Sequence, residues 1–220
     1  MDYGSFAKTI AISISMVGFI MPSEIVLLTG DAEAPHLGSV LRRYNPRLRI
    51  VHARNRRELL DACPADGIHT RRLIAFCTPV IVPEEILNAV MPPAYNFHPG
   101  PPTYPGSHVA SFAIYDDANM FGATAHEMAS KVDSGLIVGV EWFQVPDGLR
   151  FTDLELKAFD ALVSLFIQLA PHLALNDAPL EHLDMAWAGK ATTNTDYERM
   201  RAIDETMSEA EIKRRFRAFG

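Results

Sequence analysis

Asn96, His98 and Asp133 are the residues of this 220-residue chain whose types and spacing can do chemistry. Asn96 and His98 stand two apart in a short apolar run, and the period of a strand places both side chains on one face. An amide side chain donates and accepts, and a histidine titrates near neutrality, so the pair can polarise a carbonyl. Asp133, with Ser134 and Gly135 after it, supplies the acceptor that the pair lacks. Its carboxylate can orient the imidazole, raise its pKa and bind a water. The trio suits acyl-group chemistry. The same residues also fit a structural role, with Asn96 ending a strand, His98 a satisfied rim histidine and Asp133 the start of a turn.

The elements that must hold these groups can be read around them. Four prolines fall within residues 99–105, which leaves the loop after His98 little freedom to lose on folding. Ser107 then caps a helix from His108 to Asp116, and Gly122 opens a strand, Ala123 to Met128. Thr124, His126 and Met128 share one face of it. His126 reads as a hydrogen-bonded wall of the site, not as a catalyst. Upstream, strands Ile25–Thr29, Arg49–Ala53 and Leu73–Phe76 alternate with helices Ala34–Tyr44 and Asn55–Ala62, the latter with Asn55 as N-cap. Thr78 to Pro83 leads into a further helix, Glu84–Ala89. This order predicts an α/β domain: an open, mostly parallel, Rossmann-like sheet with helices on both faces. Ligands in such sheets bind outside the carboxyl ends of the strands, where the loops after Phe76 and His98 lie. The first strand-to-helix turn carries no Gly-x-Gly-x-x-Gly, so a dinucleotide grip is not supported.

Further on, a strand from Leu136 to Val145 is expected to be mostly buried on both faces. A long helix begins at Thr152 or Asp153 and runs to about Leu173, with Leu154, Ala158, Leu162, Leu165 and Leu169 as its core stripe. Residues Pro179 to Gly189 read as a linker with Trp187 as a packing anchor. Ser208-Glu209-Ala210-Glu211 reads as a capping box opening a helix from Glu209 to Phe219.

With 48% apolar residues and near-zero mean hydropathy, the chain reads as one soluble globular domain. Asp and Glu number 27 against 20 Lys and Arg, a formal charge of −7 that offers no bulk attraction to a phosphate backbone. Nucleic acid is therefore a disfavoured partner. Cys63 and Cys77 show neither disulfide nor metal spacing, which suits a reducing cytoplasm and a site without metal. Residues 1–21 form an unassigned extension. Ile10 to Met21 is apolar but too short to span a bilayer, and both a leader segment and a true start at Met21 stay open. Residues 22–180 are expected to form the catalytic domain, and 181–220 a linker and helix.

Read in order, Asn96-x-His98, the Pro-rich loop ending at Gly106, Ala113-Ile114, Gly122-x-Thr124-x-His126-x-Met128 and Asp133-x-Gly135 resemble the folate-dependent formyltransferases. That group contains the methionyl-tRNA, glycinamide-ribonucleotide and sugar-amine formyltransferases. Arg72 to Leu87 is similar to the strand, loop and helix that precede the site there. The resemblance covers roughly Ile25 to the C-terminus and is sharp between Ile74 and Ile137. It departs in the loop Pro99 to Gly106, where family members commonly carry Ser-Leu-Leu-Pro-x-x-Arg-Gly and this chain has proline in place of the arginine. A similar His-Pro-Gly-Pro-Pro loop occurs in a formyltransferase-like domain of hydrogenase-maturation proteins.

The resemblance implies transfer of a formyl group from 10-formyltetrahydrofolate to a primary amine of a small molecule, in the cytoplasm and without membrane or metal. It implies that Asn96 and His98 stabilise the oxyanion, and that Asp133 holds His98 protonated and assists proton transfer. It also implies a pterin slot lined by Phe76, Thr78, Val80, Val82, Met128, Ala129 and Val132, largely through backbone amides. The helix ending at Gly220 resembles one that leads, in longer members, to a tRNA-holding C-terminal barrel; none follows here, which favours a small acceptor. A 10-formyltetrahydrofolate hydrolase on the same residues, and an inactive folate-binding or scaffold protein, are the alternative readings. Homo-oligomerisation is left open.

Overall fold

A computed structural model describes residues 21–64 and 70–220; the expectations for residues 1–20 lie outside this range. Six strands form one sheet in the order β2-β1-β3-β4-β5-β6. They are β1 Glu24–Leu28, β2 Arg49–Ala53, β3 Arg71–Phe76, β4 Tyr95–His98, β5 Met120–Glu127 and β6 Ile137–Gln144. The first four run parallel, and β5 and β6 are antiparallel to their neighbours. The described helices are α1 Glu33–Tyr44, α2 Arg56–Ala62, α3 Glu84–Ala89, α4 Val109–Tyr115, α5 Phe151–Leu175, α6 Asn194–Arg201 and α7 Glu209–Phe219. The α/β architecture with a mostly parallel sheet is the one the sequence predicts.

Central strands covered on both sides must be apolar at every position. All five residues of β1 and all six of β3 are buried. Alternation then divides them. Ile25, Leu27, Ile74 and Phe76 pack with Leu37 and Leu41 of α1 and Leu162, Leu165 and Phe166 of α5. Val26, Leu28, Leu73 and Ala75 pack with Leu59 of α2 and Ile86 of α3. Asn55 caps α2 as expected, its side chain accepting the Glu58 N–H at 3.0 Å. Arg72, fully buried, donates to the carbonyls of Leu173 and Asn176 at 2.8 and 2.7 Å and so closes the C-terminus of α5. By length and composition α5 could cross a membrane, yet nine of its residues are buried against the sheet and the helices beside it.

Four local expectations are corrected. Ser107 caps nothing: its N–H is taken by the Thr192 carbonyl at 2.9 Å, and α4 begins after His108, a left-handed residue with φ 56°. Strand β6 is buried only over its first three residues, because it is the sheet's outer edge. Gly122 does not open β5, which starts two residues earlier; the glycine lets the strand pass the Glu141 carbonyl, which a Cβ would overlap. Helix α6 is unpredicted, although Thr193 and Asp196 form a reciprocal capping box at its start. Ser208 does cap α7, but Glu211 completes no box and turns instead to Tyr115 and Arg215.

Candidate active site

The face of β4 opposite α5 carries Asn96 and His98, paired across to His126 and Thr124 of β5. The Pro-rich loop and the segment 183–192 roof this face, and their hydrogen bonds lock the roof to the floor. Thr124 Oγ1 donates to the Gly100 carbonyl at 2.7 Å, and Gly106 N–H donates to Asp133 Oδ2 at 2.8 Å. Gly106 has φ 99° and lies flat against the Thr192 backbone, where no Cβ would fit.

Asp133 stands in the left-handed region at φ 44°, a conformation that Asp tolerates better than most residues. The turn that places it returns over β5 so closely that a Cβ on Gly135 would overlap the Glu127 carbonyl oxygen. This is the physical reason for glycine two residues after the aspartate. The carboxylate, 7% exposed, lies 3.6 Å from His98 Nδ1 and 3.3 Å from His126 Nε2. The structure thus brings Asn96, His98 and Asp133 together and adds His126 to them. Asn96 Nδ2 donates to His126 Nε2 at 3.0 Å, as their directly opposed positions allow.

The remaining partners assign the tautomers. His98 Nε2 faces the Tyr104 carbonyl at 3.0 Å, and His126 Nδ1 faces the Glu127 carbonyl at 2.7 Å; each must donate there. The other ring nitrogens, His98 Nδ1 and His126 Nε2, both face one carboxylate, His126 Nε2 the nearer. Burial pushes the His98 imidazole down, against the pull of Asp133, so the ring is neutral at neutral pH. This reverses the expectation that Asp133 keeps it charged. Burial acts to raise the Asp133 carboxyl, but the His126 hydrogen bond, the nearby imidazoles and the Gly106 N–H outweigh it and hold the group ionised. The centre is a buried carboxylate flanked by two imidazoles. His98 Nε2 is spent on Tyr104, so the donor free to meet a ligand's oxygen is the second N–H of Asn96.

The residues expected to line a pterin slot separate. Val80, Val82 and Met128 pack together beside the α2–α3 layer, at the carboxyl end of β3, and Thr78 holds the loop by accepting the Val80 N–H at 3.3 Å. Ala129 and Val132 are exposed on the turn leading to Asp133. Phe76 does not join them: its ring lies on the other face of the sheet, edge-on to Phe166 at 5.8 Å, and only its backbone faces the loop.

Trp187, expected as a packing anchor, sits over the histidines. Its indole is edge-on to His126 at 4.9 Å and to His98 at 5.7 Å, and Nε1 donates to the Gly135 carbonyl at 2.9 Å. No local signal in the sequence marks it for this place. Beyond it, a pocket of about 380 Å³ opens between the turn 131–136 and the segment 185–191, with Asp133 in its wall. Among the described residues no cluster of His, Cys, Asp and Glu is arranged to hold a metal ion.

No protein-family model matches the sequence. Solved structures do match it. A 4-N formyltransferase from Francisella tularensis superposes with a TM-score of 0.68 at 17% identity, covering 90% of this chain and 88% of that one. An N-formyltransferase from Helicobacter canadensis, in complex with folinic acid and dTDP-3-aminofucose, gives 0.66 at 13% identity over 90% and 81% of the two chains. HypX from Aquifex aeolicus gives 0.64 at 15% identity, covering 90% of this chain but 34% of its own. At these identities the likeness is one of fold, and the fold of this chain is that of the folate-dependent N-formyltransferases.

Proposed function

We propose that the protein transfers a formyl group from 10-formyltetrahydrofolate to a primary amine of a small molecule. The observation that carries this reading is the buried Asp133 carboxylate, set between two imidazoles beside Asn96, at the strand ends of a formyltransferase fold. A folate fits the place. Val80, Val82 and Met128 offer an apolar wall, and the turn through Ala129 and Val132 leads directly to Asp133. When bound, the folate supplies an activated formyl carbon.

The chain's own residues do the rest. The free N–H of Asn96 meets the formyl oxygen as negative charge builds there, an effect worth about 10²–10³ in rate for one such donor. Asp133 takes the proton that the attacking amine must lose, with His98 Nδ1 and His126 Nε2 beside it to share the charge. Burial at this point strengthens each of these interactions, because little water competes for them. The proton then serves the departing folate nitrogen.

The test follows the absorbance change from 10-formyltetrahydrofolate to tetrahydrofolate with an amine panel, in the wild type and in Asp133→Asn. Amine-dependent turnover that falls by about 10²–10⁴ in the variant, with an unchanged melting temperature, is the expected result. Turnover that survives the substitution would sink the mechanism.

A further inference from the structure

We propose that Trp187 determines acceptor specificity, forming the fixed wall of a pocket that admits a small primary amine with an apolar or aromatic body and leaves no place for a nucleotide-linked sugar. The inference rests on the transferase reading and names its substrate class.

Trp187 is not a loose cover. The segment that carries it is tied down along its length: Leu183 N–H to Ile137 O at 2.8 Å, His182 to Glu127 at 2.8 Å, Ala188 N–H to Pro102 O at 2.9 Å and Thr192 N–H to Pro105 O at 3.0 Å. The indole N–H is fixed on Gly135 as well. A wall held this way selects by shape, since moving it would break several hydrogen bonds at once.

Two ligands must meet at Asp133, and the site has two approaches. One is the apolar wall of Val80, Val82 and Met128. The other is the pocket on the Trp187 side, bounded by Met185, Leu136 and Pro105, with Asp133 among its lining residues. Its volume, about 380 Å³, is near the lower end of the ligand-pocket range of about 300–1,000 Å³. Lys131 is its single cationic side chain. A diphosphate calls for several converging donors or cations, and a planar guanidinium is the usual provider. The pocket has no guanidinium; beside Lys131, Asp133 and Ser134 it presents indole, thioether and aliphatic surface, which rewards an apolar body attached to the reacting amine.

The experiment measures formyl transfer from 10-formyltetrahydrofolate to butylamine, 2-phenylethylamine and tyramine, and to a dTDP-linked 4-amino sugar, by the wild type, Trp187→Ala and Trp187→Phe. Calorimetry with 5-formyltetrahydrofolate runs alongside. The wild type should formylate the small amines and not the sugar nucleotide. Trp187→Ala should raise KM for the aryl amines about tenfold or more, with Trp187→Phe restoring much of it and folate Kd staying within about twofold. Preference for the sugar nucleotide, or a KM unmoved by Trp187→Ala, would overturn the inference and leave formyl transfer standing. A tenfold loss of folate affinity in Trp187→Ala would assign the pocket to the donor and overturn it too. Absence of transfer to every amine by the wild type would remove the transferase reading itself, and this inference with it.

Discussion

Along β4, Tyr95 and Phe97 point to one side of the sheet and Asn96 and His98 to the other, and the two sides are built on different physics. Phe97 meets Phe166 at 5.1 Å and Phe76 at 5.9 Å in an apolar layer, where the buried Arg72 is tied to the carbonyls that end α5. On the opposite side His98, His126 and Asp133 are as deeply buried, yet hardly a polar atom among them lacks a partner. Burial stabilises the first side through lost water contact. On the second it costs free energy, which hydrogen bonds from the loop and the 183–192 segment offset. The first side therefore tolerates any well-packed apolar set, whereas the second works only with its named groups in place. A domain can hold both one residue apart because a strand separates alternate side chains completely.

That contrast can be broken from either side. Phe97→Ala should destabilise the protein by about 3–5 kcal/mol in urea unfolding while turnover per folded molecule stays close to wild type. A large loss of turnover without loss of stability would mean that the two faces are not separable. Asn96→Ala should do the reverse. It removes the free donor and the His126 partner, and kcat should fall about 10²–10³-fold with a stability change near 1–2 kcal/mol. A raised KM with kcat unchanged would instead place Asn96 in uniform binding of the substrate.

The smallest effect concerns pH. His98 titrates below its ordinary value of 6.5 in the folded protein, so between that depressed value and 6.5 the unfolded chain binds more protons than the folded one. Stability from this residue is present above pH 6.5 and is lost as pH falls through the window beneath it. Urea midpoints from pH 7.5 down to 5 should decline for the wild type and decline less for His98→Gln. Parallel curves would show that the ring carries no such burden.

Much of this was legible in the residues. The alternating apolar runs of β1 and β3 dictated a sheet covered on both faces, and Asn55, Pro83 and Ser208 marked helix starts through their local chemistry. Asn96, His98 and Asp133 could be singled out because two of them share a strand face and the third precedes a glycine that a close turn demands. Other features depended on partners far along the chain. Nothing near Ser107 shows that the chain will turn through a left-handed His108 before α4 begins, or that Ser107 will pair with Thr192, 85 residues away. Local periodicity likewise could not reveal that β6 would be an edge strand.

The sequence by itself determined which residues could carry acyl chemistry and the order of strands and helices that presents them, since both follow from residue type and short-range period. Only the tertiary structure decided that His126 joins the centre, that His98 is neutral and that Trp187 walls it. Those properties come from burial and from contacts between segments distant in sequence, which desolvate a group or give it a partner and so set its charge.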